Sequence, residues 1–130
     1  MRLESIADST IQESFPFQIS EIISFKPTIE AILNDLKNKV ALPEISSKFH
    51  NTIIEVILAV AYKIRTETGL NKVVLSGGSF QNAILLEKSE YLLTKKGFEI
   101  FSHSLVPSND GGIALGQLAI AAKRRSLGLI

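Results

Sequence analysis

The chain has 130 residues, with 14 Lys or Arg against 13 Asp or Glu and a net charge of +1. So even a balance gives no broad field for nucleic acid or anionic lipid, and the absence of cysteine excludes a disulfide framework and a thiolate zinc site. A hydrophobic share of 45% and a mean hydropathy of +0.23 describe a folded α/β-sized chain with apolar surface to spare.

Glu55 interrupts the longest apolar run short of the ~18 residues that span a bilayer, and Met1-Arg2-Leu3-Glu4 lacks the apolar core of a signal peptide. The expectation is a cytoplasmic protein that engages neither membrane nor nucleic acid.

Leu3, Ile6, Ala7, Thr10 and Ile11 recur at helical spacing, which predicts a helix over 2–14 stopped by Phe15-Pro16-Phe17. Gln18 to Phe25 reads as a short extended segment. Lys26-Pro27-Thr28 starts a second helix with Ile29, Ile32, Leu33, Leu36 and Val40 on one stripe. Leu42-Pro43-Glu44 opens the longest helix, apolar on two faces and closed by Gly69. A strand over Lys72–Leu75, a helix over Phe80–Lys95 ended by Gly97, a strand over Phe98–Phe101 and a helix over Gly111–Ser126 complete the chain. The pattern predicts a helical lead-in over 1–41 and an α-β-α-β-α unit over 42–130, its two strands parallel and joined by a crossover helix. The basic end Lys123-Arg124-Arg125 falls in a last helical turn, where cations complement the dipole.

In open parallel sheets ligands gather at the carboxyl ends of the strands. Two double-glycine turns fall on that edge: Ser76-Gly77-Gly78-Ser79 after the first strand and Asn109-Asp110-Gly111-Gly112 after the second. Adjacent glycines let backbone N–H groups approach a phosphate, and a helix beginning near Ser79 would turn its positive end to the same anion. Asn82, early in that helix, suits a ribose hydroxyl or base edge, or else solvates its own backbone. Asp110 reads as a metal-binding carboxylate or as an N-cap.

His50 and His103 belong to no paired metal motif. His50 reads as a packed, hydrogen-bonding helix residue and His103 as solvent-facing. Ser79 lacks the context of a nucleophile elbow, and neither a Walker pattern nor a dinucleotide fingerprint is present.

Taken together, Ser76-Gly77-Gly78-x-Phe80-Gln81-Asn82, Asn109-Asp110-Gly111-Gly112-Ile113-Ala114-Leu115-Gly116-Gln117, Lys48-Phe49-His50-Asn51-Thr52 and Arg2-Leu3-Glu4-Ser5-Ile6-Ala7 resemble the HypF family of nickel-iron hydrogenase maturation carbamoyltransferases. The resemblance spans almost the whole chain. It implies the C-terminal lobe of an actin-like ATPase domain, α/β and helix-rich with a short, partly parallel sheet, similar to the TsaD-type enzymes that make threonylcarbamoyladenosine on tRNA.

It also implies that Gly77, Gly78 and Asn82 face the nucleotide and that Asp110 is a ligand of a divalent metal. The implied reaction makes carbamoyl-adenylate from carbamoyl phosphate and ATP and passes the carbamoyl group to the C-terminal cysteine of HypE. The family's paired metal-binding histidines and its first phosphate loop would lie upstream of Met1, so the expectation is one lobe that needs the rest of the polypeptide and is inactive alone. Its uncovered apolar face leads us to expect a homodimer. A tRNA threonylcarbamoyl transferase lobe and a non-catalytic partner-binding module are the alternatives; the Phe80-Gln81-Asn82 extension and near-neutral charge lean against the first.

Overall fold

The computed structural model describes residues 2–129. A first helix, α1 (Arg2–Ser5), leads through an irregular stretch into a tight antiparallel hairpin, β1 (Gln18–Ile19) and β2 (Ile23–Ser24). Two helices follow, α2 (Lys26–Lys37) and α3 (Leu42–Thr68), each with proline in its first turn, where a missing N–H costs nothing. The remainder alternates: β3 (Lys72–Leu75), a 3-10 turn (Gly78–Gln81), α4 (Ala83–Lys95), β4 (Glu99–Ser102), a second 3-10 turn (Asp110–Gly112) and α5 (Ile113–Ser126).

β3 and β4 pair in parallel, with Lys72 opposite Glu99 and Leu75 opposite Ser102, and α4 makes the crossover. The expected α-β-α-β-α order and parallel pairing are thus present. Gly69 (φ 75°) and Gly97 (φ 80°) close α3 and α4 in the left-handed conformation that a glycine C-terminus supplies.

One face of the two-stranded sheet is covered. Ile54, Leu58 and Ala61 of α3, Leu75 of β3, Leu93 of α4 and Phe98 form the buried core. The other face is bare, with Val74 68% exposed beside Phe101, its register partner on β4. The strand edge away from the site is stitched by Asn71, whose Nδ2 donates to Gly97 O at 2.7 Å, and by Arg65, whose guanidinium lies 3.9 Å from the Phe98 ring centroid.

The helix expected over 2–14 is not formed beyond Ser5. Backbone groups of that stretch are claimed by side chains of α3 instead. The Asp8 N–H donates to Ser47 Oγ at 2.7 Å, Asn51 Nδ2 donates to the Ile11 and Glu13 carbonyls at 3.1 and 2.8 Å, and the Phe15 N–H donates to Thr52 Oγ1 at 2.8 Å. Asp8 also folds back on Thr10, accepting from its N–H and its hydroxyl, a local turn that competes with helix. The amino-terminal half of α3 therefore buries Ser46, Ser47, His50, Asn51 and Thr52 and is not apolar on two faces as expected; Ile54, Leu58 and Ala61 carry the apolar work further along.

Among the described residues no helix is long and apolar enough to cross a membrane.

Candidate functional site

Both double-glycine turns leave the carboxyl ends of β3 and β4, which are neighbours in register. Ser76 Oγ and His103 Nε2, the residues just past the two strands, lie 2.8 Å apart and join the loops at their base. Beside them a cavity of about 220 Å³ is lined by Leu75, Phe80, His103, Leu105, Val106 and Pro107 among others. His103 is exposed, but its ring is held by Ser76.

The first turn needs one of its glycines for the fold. Gly77 sits at φ 102° and ψ 164°, a region that residues with a Cβ rarely adopt, and its carbonyl accepts the Phe80 N–H at 3.1 Å to start the 3-10 turn. Gly78 has no such need. A Cβ placed on it would meet nothing among the described residues within 4 Å. Its missing side chain leaves open space beside the turn.

The second turn is tight. A Cβ on Gly111 would stand 3.0 Å from Asn109 Oδ1, and one on Gly112 would stand 3.1 Å from Val106 Cγ1 and 3.2 Å from Pro107 O. Asn109 is its N-cap, accepting the Gly111 N–H on Oδ1 at 2.9 Å. Asp110 is therefore not the cap. Its exposed carboxylate makes no hydrogen bond or ion pair among the described residues.

Asn82 is placed differently from a helix-surface amide. The helix expected from Phe80 begins at Ala83, because Asn82 itself is extended (φ −77°, ψ 113°) and caps α4 by accepting the Leu85 N–H on Oδ1 at 3.0 Å. It is 3% exposed, and its Nδ2 donates to His50 Nε2 at 2.9 Å. The next free N–H of α4, on Ala83, donates to Glu4 Oε1 at 2.6 Å. This bond is the largest cause holding the Glu4 carboxyl below its ordinary value. The positive end of α4, which the sequence offered to a ligand anion, is thus occupied by a carboxylate of the same chain.

Among the described residues no group of three or more His, Cys, Asp or Glu could hold a metal ion. Asp110 alone supplies one hard oxygen ligand and does not by itself make a divalent-metal site.

The parallel β3–β4 pair with its crossover helix and the two glycine turns at its carboxyl end define a subdomain of an α/β domain. Residues 1–117 match the family described as carbamoyltransferase, Kae1-like domain, second subdomain. The chain belongs to the HypF carbamoyltransferase family. It is 32% identical over 125 residues to carbamoyltransferase HypF of Synechocystis, covering 92% of this chain and 16% of that protein. It is 33% identical over 88 residues to probable carbamoyltransferase HypF of Methanocaldococcus jannaschii.

A crystal structure of full-length HypF in the phosphate- and nucleotide-bound form superposes with a TM-score of 0.87 at 43% identity, over 94% of this chain and 20% of that one. The HypF structure from T. kodakarensis shares the fold, with a TM-score of 0.69 at 22% identity. The matched stretches thus span about a ninth to a fifth of the length of these relatives.

Proposed function

We propose that this chain forms one wall of the adenylate site of a HypF-type carbamoyltransferase. In that reaction carbamoyl phosphate, water and ATP yield carbamoyl-adenylate with release of phosphate and pyrophosphate, and the thiolate of the C-terminal cysteine of HypE attacks the carbamoyl carbon. The S–C bond forms as the C–O bond to the adenylate breaks, and AMP leaves with the electron pair. The sulfur nucleophile belongs to the acceptor, which suits a chain without cysteine.

The observation that carries this reading is the open space at Gly78. Nothing among the described residues requires a glycine there, and its missing side chain leaves room for a ligand to approach the turn that Gly77 opens. Gly77 and Gly78 present the N–H groups of that turn to the nucleotide. Asn82 contributes by closing the turn, and its second Nδ2 N–H has no partner among the described residues. Asp110, exposed beside the second turn, offers one carboxylate to a divalent metal whose other ligands come from elsewhere. The upstream lobe of a HypF polypeptide is the opposite wall, and without it the chain turns nothing over.

The test is calorimetric titration of an adenine nucleotide into this chain mixed with the upstream lobe of a HypF protein. Metal-dependent binding that Gly78→Val and Asp110→Ala each abolish is the expected result. Binding indifferent to both substitutions would favour a non-catalytic docking module.

A further inference from the structure

We propose that His50 is a positioning residue for the Gly77–Gly78 turn, acting through Asn82. The inference rests on the reading above for its functional meaning, but its structural content stands on hydrogen bonds already described.

His50 lies on α3, distant in sequence from the turn, and is 3% exposed. The ring is fixed at both nitrogens. Nδ1 lies 2.8 Å from the Ser46 carbonyl, one turn back on α3, and Nε2 lies 2.9 Å from Asn82 Nδ2. The orientation of the Asn82 amide is set independently, because its Oδ1 accepts the Leu85 N–H. Nδ2 must then face His50 as a donor, so Nε2 must accept. A neutral imidazole with its proton on Nδ1, given to Ser46 O, is the one arrangement that satisfies all three bonds. Phe49, edge-on to the imidazole at 6.2 Å between centroids, packs beside it.

Packing alone does not call for histidine here, since an aliphatic side chain would also fill a buried helix face. What the imidazole adds is a lone pair aimed at Asn82. Asn82 is the hinge between turn and helix: its N–H donates to Ser79 O at 3.2 Å and closes the 3-10 turn, while its side chain opens α4. Without the acceptor, a buried Nδ2 N–H loses its partner, and rotation of the amide to find another surrenders the cap. His50 therefore transmits the rigidity of the long helix α3 to the glycine turn.

The experiment uses the full chain and compares His50→Leu, which keeps the volume and removes the acceptor, with His50→Gln, whose Oε1 restores an acceptor. Amide hydrogen exchange is read by NMR for residues 78–82 against Leu93 in the core, and the wild-type imidazole nitrogens are assigned by 15N shift. The expected result is exchange in the turn about tenfold faster in His50→Leu with the Leu93 ratio preserved, return to near wild-type rates in His50→Gln, and a wild-type proton on Nδ1.

Turn exchange that rises only in step with Leu93, or a wild-type proton on Nε2, overturns the proposal. Should His50→Leu fail to fold, the tautomer and the His50→Gln rates decide it. Adding AMP separates the two readings: glycine-turn amides that ignore AMP in the wild type would defeat the nucleotide assignment and leave the His50 result standing.

Discussion

Glu4 and Asp8 fix how the lead-in meets the rest of the chain, and both carboxyls are held below their ordinary values, Glu4 chiefly by the Ala83 N–H and Asp8 chiefly by the Thr10 hydroxyl. A lowered folded-state value gives stability that is complete above the ordinary values of 4.5 and 3.8 and is lost as pH falls through the lowered ones. Acid unfolding followed by circular dichroism should therefore be shallower below pH 4.5 in Glu4→Gln than in wild type.

The two glycines of the first turn should separate cleanly. Gly77→Ala forces a Cβ into a φ of 102° and should cost about 1–3 kcal/mol in urea unfolding. Gly78→Ala meets open space and should stay within about 0.5 kcal/mol of wild type. Equal costs at the two positions would contradict the assignment of one glycine to the fold and the other to the ligand.

At the level of elements, what was legible in the sequence had a local physical cause. Gly69 and Gly97 end their helices because the left-handed C-terminal conformation favours glycine, and the parallel β3–β4 pair follows from short apolar runs separated by a helix. The misread segments depended on distant partners. Periodicity over 2–14 was genuine, yet Ser47, Asn51 and Thr52 bind that backbone from far along the chain.

Its place after the glycines marks Asn82 as a special position, suited to a ligand or to its own backbone. The cap bond to the Leu85 N–H is that local use, whereas the bond to His50 cannot be read locally, because the partner sits on α3. The pairing of Glu4 with the start of α4 left no local signal at all.

α5 shows the same division of labour in energetic terms: it buries no residue of its own, with Leu118 68% exposed, whereas Leu93 of α4 is fully enclosed. Limited proteolysis should cut within α5 first and leave the melting temperature of the remainder nearly unchanged. Leu93→Ala should cost about 2–5 kcal/mol.

The molecule as a whole carries more apolar surface than its own elements cover. The bare sheet face around Val74 and Phe101, the nearly naked Leu105 (96% exposed) and the apolar side of α5 are continuous with no core. Such surface drives association. Sedimentation velocity at rising concentration should show mass above the monomer, and a strictly monomeric boundary would count against the expected homodimer.

An amide NMR titration of the chain with AMP in the presence of a divalent metal decides whether the edge carrying the two glycine turns faces a nucleotide. Saturable shifts are expected, in about the millimolar range for half a site, centred on Gly77, Gly78, Gly111 and Gly112. Shifts confined to the basic end Lys123-Arg124-Arg125, or none at the glycine turns at any concentration, would contradict that reading.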